Sequence, residues 1–203
     1  MLASGSPRRI GMLREIGITP RVLVPSVEES VHLALDPRQL VMCLALKKAL
    51  AAEAELEAEG HPLGHALLIA ADTVVYSDRV IGKPGSGREA FDILWSLRGR
   101  AHTVYSGVCL MGTDRGIRRV FSCGTRVQFK DYSGEDIRNY IATGEPMDKA
   151  GAYAIQGGFA PYVDHIIGPR DNVIGFPLGA IIAELNALGI SFASTGTGAS
   201  ETE

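Results

Sequence analysis

Leu67-Leu68-Ile69-Ala70-Ala71-Asp72-Thr73-Val74-Val75 is the most hydrophobic run of the chain, and it carries a carboxylate in its interior. Its length and β-branched residues suit a strand buried on both faces. A carboxylate there costs on the order of several kcal/mol unless it is paired, hydrogen-bonded or bound to a metal. Asp72 therefore reads as a functional group in preference to a buried structural salt bridge. The run turns at Ser77-Asp78-Arg79 into Val80-Ile81-Gly82-Lys83-Pro84, a hairpin that returns the chain beside Asp72. The flanking Gly and Pro fix the backbone of Lys83 and leave its ammonium group to reach an anion, although a plain turn lysine fits the same pattern.

The N-terminal stretch Leu2-Ala3-Ser4-Gly5-Ser6-Pro7-Arg8-Arg9 combines an apolar entry, a Gly turn, a helix start and two cations. Ser6 suits an N-cap and Pro7 the first helical position. Ile10, Leu13 and Ile16 then supply one apolar face of a short helix ending near Gly17. The free N–H groups of that helix, beside Gly5, Arg8 and Arg9, make an anion site; the competing reading is an ordinary capped helix with a solvated arginine pair. Arg21 to Val24 is a short strand leading to the acidic Pro25–Ser30 segment, where Glu28 and Glu29 suit either a metal or a solvated loop. Asp36-Pro37 opens a long helix through about Glu57, packed by Leu40, Leu44 and the Ala-rich stretch from Ala45 to Ala54. Lys47 and Lys48 point about 100° apart on it, so only one of them faces a shared site, and the residues alone do not say which.

Further on, Ser86 to Glu89 is a capping box for a helix from Arg88 to Leu97, and His102–Met111 and Arg118–Lys130 form two strands joined by the Gly112–Gly116 turn. Ser133 caps a helix through Ala142. The segment Glu145 to Gly158 sets Asp148, Lys149 and Gln156 among glycines, as expected where backbone approaches a ligand and an amide reads a hydrogen-bonding edge. Tyr162–Ile167 is a strand, Gly168–Asn172 a turn and Pro177–Leu188 a closing helix. Residues 1–190 read as one domain, and residues 191–203 as a disordered tail. The net charge of −3 and the lack of a basic run exclude a nucleic-acid-tracking surface. No window approaches the roughly 18 apolar residues of a membrane span and no leader pattern is present, so a cytoplasmic protein is expected. Cys43, Cys109 and Cys123 are too widely spaced for a zinc site or a disulfide framework.

Taken together, Ser4-Gly5-Ser6-Pro7-Arg8-Arg9, Ala71-Asp72-Thr73-Val74-Val75, Gly82-Lys83-Pro84, Asp148 to Gly157 and Gly175-Phe176-Pro177-Leu178 resemble, in order and spacing, the Maf (septum formation inhibitor) family of nucleoside triphosphate pyrophosphatases. The resemblance spans roughly residues 2–188. It implies an α/β fold with an elongated mixed β-sheet flanked by helices, two lobes and a central cleft, similar to inosine triphosphatase. It also implies a cytoplasmic enzyme, commonly a homodimer, that uses a divalent cation (Mg²⁺ or Mn²⁺) to convert a nucleoside triphosphate to its monophosphate and pyrophosphate.

Carried over by position, Asp72 matches the catalytic proton acceptor, and Glu29, Lys48 and Lys83 match charged cleft positions, which selects Lys48 over Lys47. Asp72 and Glu29 are the expected metal ligands, with Lys83 assisting catalysis; Ser4, Arg8, Arg9, Lys48, Thr73 and Gln156 are the expected substrate contacts. Arg8, Thr73 and Gln156 resemble the branch that acts on dTTP and UTP; a branch acting on 7-methyl-GTP would carry Trp and Gln at the first two positions. Two other readings stand beside this one: a 7-methyl-GTP pyrophosphatase, and a non-catalytic nucleotide-binding regulator of septum formation.

Overall fold

The apolar and alternating runs become strands, and the short turns between them set how they pair. The computed structural model describes residues 1–190 apart from Glu29, His32 and residues 113–115. Strands β1 (Leu2–Ala3), β2 (Val22–Leu23), β3 (Leu68–Tyr76), β4 (Val80–Ile81), β5 (Ala101–Gly112), β6 (Ile117–Phe129) and β7 (Val163–Ile167) form one seven-stranded sheet. Its order is β2-β1-β3-β5-β6-β7, with β4 also paired to β3. β1 lies parallel to β2 and β3, and the remaining pairs are antiparallel, so the sheet is mixed as expected.

Helices α1 (Pro7–Glu15), α2 (Pro37–Ala58), α3 (Gly87–Leu97), α4 (Gly134–Ala142), α5 (Arg170–Ile174) and α6 (Leu178–Ala187) flank this sheet. None of the described helices is long and apolar enough to cross a membrane. α2 starts at a reciprocal cap in which the Asp36 carboxylate accepts from the Arg38 and Gln39 N–H groups and the Gln39 side chain accepts from the Asp36 N–H. Two local expectations are corrected. Ser6 stands at the N-cap position of α1 but makes no side-chain cap bond, and its N–H donates to the Ser4 hydroxyl at 3.3 Å. Gly168–Asn172 is not a simple turn, since its last residues already belong to the short α5. The tail at 191–203 lies outside the described residues.

Side-chain alternation along β3 divides the packing. Leu68 and Ala70 meet Ala45, Ala49, Ala52 and Leu56 of α2 on one face, whereas Ile69 and Ala71 meet Leu13 of α1 and Ile181 and Leu185 of α6 on the other. Beyond the hairpin with β4, a third core is built from Phe129, Tyr132, Tyr153 and Phe159, whose rings meet edge to face or tilted.

One edge of β3 is only partly covered. β1 pairs with Ile69 and Ala70, and β4 with Val75 and Tyr76, so among the described residues Ala71–Val74 has no ladder partner on that side. Along the opposite edge β3 is paired throughout with β5, including Asp72 to Gly107 and Thr73 to Ser106. The sheet thus has a slot four residues long, bounded by the ends of two short strands.

In the third core, the buried His102 places Nε2 2.8 Å from the Tyr153 hydroxyl and lies edgewise against Phe129. Burial lowers its pKa to about 4. The unfolded chain takes up this proton near pH 6.5, whereas the folded chain resists it until about pH 4. The resulting stabilisation is full above pH 6.5 and is lost as the pH falls towards 4. Urea unfolding at pH 7 and 4.5 should show wild type losing ~2 kcal/mol more than His102→Gln over that interval; equal losses would assign the acid sensitivity to other groups.

Candidate active site

The slot in the sheet opens into a cavity of about 720 Å³. One side is made by the Ser4–Arg9 segment and by Leu40, Leu44 and Lys48 of α2, and the floor by Asp72 to Val75. Gly82, Lys83 and Asp148-Lys149-Ala150 form the far side. Val173 to Gly175, at the C-terminal end of α5, complete the lining.

The position of Lys48 follows from a close approach. Asp72 and Gly107 are opposite one another in the β3–β5 ladder, so Cα substituents at both sites face α2. A Cβ on Gly107 would lie 2.1 Å from the Val41 carbonyl oxygen, so helix and sheet backbones meet directly there. Lys48 lies seven residues, or two turns, beyond Val41 on the same helix face. Its Nζ donates to Asp72 Oδ1 at 2.5 Å, and both side chains are largely shielded from solvent. The neighbouring Lys47 instead donates to the Glu28 and Ser30 carbonyls at 2.7 and 3.1 Å, tying the acidic segment to α2. The choice between the two lysines is thus made by helix phase.

The arginine pair divides in the same way. Arg9 donates from Nε to the Gly175 carbonyl at 2.9 Å and from Nη1 to Ser4 Oγ at 2.9 Å and the Ala71 carbonyl at 2.7 Å. Its Nη2 donates to Thr73 Oγ1 at 3.2 Å. Among the described partners, at least four guanidinium N–H bonds are committed to the protein, one of them to a carbonyl left open by the slot. Arg9, expected as a substrate contact, lines the cavity and braces its wall; Ser4, also an expected contact, lines the cavity as the acceptor of one Arg9 bond. Arg8 lines the cavity, with Nε buried and no hydrogen-bond partner.

The far side holds two cations. Lys83 is exposed at the cavity edge on the segment following β4. Lys149, in the segment singled out from its glycines but not nominated as a site residue, donates to the Glu145 carbonyl at 2.6 Å and to Asp148 Oδ1 at 2.5 Å. Burial opposes ionisation of Asp148, but the bond and charge of Lys149 and the charge of Arg8 outweigh it and hold the carboxyl below its ordinary range. The glycines here serve the protein itself. Glu145 accepts from the Gly158 N–H at 2.9 Å, and a Cβ on Gly157 would fall 1.8 Å from its carboxylate. Gly151, at φ 75°, donates to the Gly82 carbonyl at 3.0 Å and has no room for a Cβ against Val75, which ties this wall to the hairpin.

Two expected contacts differ from the sequence reading. Gln156 is exposed and does not line the cavity, because the Ala154–Gly158 turn carries it outward. Thr73 lines the cavity, but its hydroxyl lies 2.9 Å from Ser106 Oγ and 3.2 Å from the Gly175 carbonyl, in addition to the Arg9 bond. Glu29 lies outside the described residues.

Among the described residues no three acidic, His or Cys side chains cluster as a metal cage. Among the described residues, the carboxylates lining the cavity are Asp72 and Asp148. Mg²⁺ commonly binds through one or two carboxylates, water and substrate phosphates, and Asp72 in a cavity also lined by Arg8, Lys48, Lys83 and Lys149 fits that shared mode.

The chain matches the family model described as Maf-like protein over residues 1–188. It is 44% identical to a protein of Dictyoglomus thermophilum over 193 residues, covering 94% of this chain and 96% of that one. A Pelotomaculum thermopropionicum protein is 42% identical over 190 residues, covering 93% and 96%, and a Bacillus cytotoxicus protein 42% over 186 residues, covering 91% and 93%. All three relatives are named dTTP/UTP pyrophosphatase. A structure of the Staphylococcus aureus Ham1 protein overlays with a TM-score of 0.49 at 16% identity, covering 92% of this chain and 97% of that one.

The close approach at Gly107 generates a direct test. Gly107→Ala must lift α2 from the sheet or distort β5, at a cost of about 3 kcal/mol in urea unfolding, the upper end of ordinary overpacking. An alanine variant as stable as wild type would show that α2 has slack at this point.

Proposed function

We propose that this chain, which belongs to the Maf-like protein family, is a nucleoside triphosphate pyrophosphatase that converts dTTP and UTP to their monophosphates and pyrophosphate. The observation that carries the reading is the shielded Lys48–Asp72 pair in the slot, faced by Arg8, Lys83 and Lys149. The naming of relatives at 42–44% identity supports the substrate pair.

A triphosphate carries about four negative charges, and attack at phosphorus requires that charge to be balanced. Arg8, with its unpartnered Nε, Lys83 and Lys149 all line the cavity. Lys48 fixes the Asp72 carboxylate through a charge-assisted hydrogen bond, which orients it towards the slot. Asp72 positions a water molecule and removes its proton as the water oxygen bonds to the α-phosphorus. The bond from that phosphorus to the bridging oxygen breaks, and pyrophosphate leaves with the bonding electron pair. A divalent cation, Mg²⁺ or Mn²⁺, bound by Asp72 and the phosphates would supply Lewis-acid stabilisation of the charge on the leaving oxygens. Glu29 is the proposed second acidic group, sharing the roles of base and ligand with Asp72. Cytoplasmic residence and a homodimer belong to the same proposal and rest on the family resemblance.

Pyrophosphate release should be measured from dTTP, UTP, CTP, 7-methyl-GTP and the purine triphosphates with Mg²⁺ or Mn²⁺. Wild type should favour dTTP and UTP, and Asp72→Asn should lower turnover at least ~10²-fold while leaving the urea-unfolding curve cooperative. Near-normal turnover by Asp72→Asn would remove Asp72 from the chemistry. Turnover confined to 7-methyl-GTP would overturn the substrate assignment, and nucleotide binding without pyrophosphate release would favour a regulatory module.

A further inference from the structure

Thr73 lies on the face of β3 opposite Asp72, and its hydroxyl is engaged by the protein on every side described. Arg9 Nη2 donates to it at 3.2 Å, Ser106 Oγ lies at 2.9 Å and the Gly175 carbonyl at 3.2 Å. Ser106, fully buried and absent from the cavity lining, lies 3.4 Å from the Asn172 carbonyl.

A hydroxyl has one proton, which limits the arrangement to two orders. In one, Ser106 donates to Thr73 and Thr73 donates to the Gly175 carbonyl. In the other, Thr73 donates to Ser106 and Ser106 donates to the Asn172 carbonyl. Either way the proton chain ends on a carbonyl of the same Asn172–Gly175 segment. The geometry favours the first order, because a 3.4 Å hydroxyl contact is long. In that order Thr73 has neither a proton nor an open lone pair to offer a base.

The segment reached by this chain is a cavity wall. Val173, Ile174 and Gly175 line the cavity, and Arg9 Nε holds the Gly175 carbonyl at 2.9 Å. Gly175 sits at φ 103°, a conformation few other residues tolerate, and its N–H closes the turn onto the Asn172 carbonyl at 3.0 Å. Asn172 is itself buried, donating from Nδ2 to the Val104 carbonyl and Thr125 Oγ1, each at 3.0 Å.

We infer that Ser106 is a positioning residue for substrate discrimination: with Thr73 and Arg9 it pins the Val173–Gly175 wall, and Thr73 acts on base choice through that wall instead of by reading the base. The inference rests on the nucleotide pyrophosphatase reading of the cavity, and it accounts for a threonine whose hydroxyl faces its own protein.

The test compares kcat/KM for the best and second-best nucleotides of wild type with the same ratio in Ser106→Ala, Thr73→Val and the double variant. Ser106→Ala, which alters no group lining the cavity, should lower the ratio about fivefold, the worth of one hydrogen bond, mainly through KM of the preferred nucleotide. The double variant should lose little more than Thr73→Val alone, because both act through one network. Ser106→Cys, which keeps a weak donor, should recover part of the ratio, and it supplies the comparison should the alanine variant not fold. A wild-type ratio in Ser106→Ala beside a lowered one in Thr73→Val would overturn the inference and return Thr73 to direct base contact. A fall in kcat alone, equal for all nucleotides, would likewise overturn it. Absence of nucleotide hydrolysis by wild type is a separate result, which sinks the proposed function itself.

Discussion

The contact between the α2 backbone and strand β5 at Gly107 governs where charge sits in this molecule. Without a side chain at Gly107 the helix lies against the sheet, and two turns further on Lys48 is delivered to Asp72. A charged pair so shielded is tolerated because each partner answers the other. The alanines at 45, 49 and 52 continue the same close packing along β3, so the ion pair inherits the rigidity of the core beside it.

The slot between β1 and β4 gives that pair somewhere to act. A fully paired β3 would have closed its edge, and a fully open one would have left that edge without ladder partners along the whole strand. Two strands of two residues each leave the interval free, and Arg9 covers the Ala71 carbonyl within it. Lys47 is committed to carbonyls of the acidic segment, and Arg9 braces the wall it also lines, while Arg8, Lys48, Lys83 and Lys149 bring their charge to the cavity.

The long elements were legible because their signals are local. β3 was announced by its apolar run, α2 by Asp36 and its alanines, and the β5–β6 pair by alternation around a turn. Asp72 was legible for a different reason: a carboxylate in such a strand requires an explanation. What could not be read locally was the destination of each donor. Arg8 and Arg9 are adjacent and identical in type, and only the distant Ala71, Thr73 and Gly175 distinguish them. The glycines at 157 and 158 carried the expected signal of a close approach, yet the approaching group is the protein's own Glu145. Gln156 was misplaced for the same reason, since the outward turn follows from contacts that no short window of sequence contains.

Side-chain alternation along β3 has a consequence for how such a protein changes over time. Asp72 and Thr73 are consecutive, yet they belong to opposite faces with separate neighbours: α2 and Gly107 for one, α1, Ser106 and the α5 turn for the other. The slot lets both faces reach a single cavity. Substitutions accumulating on the Thr73 face can reshape the pocket for a different ligand while the Asp72 face, with its ion pair and helix contact, is inherited intact. A lineage built on this strand can diversify in what it recognises without having to reinvent how it reacts.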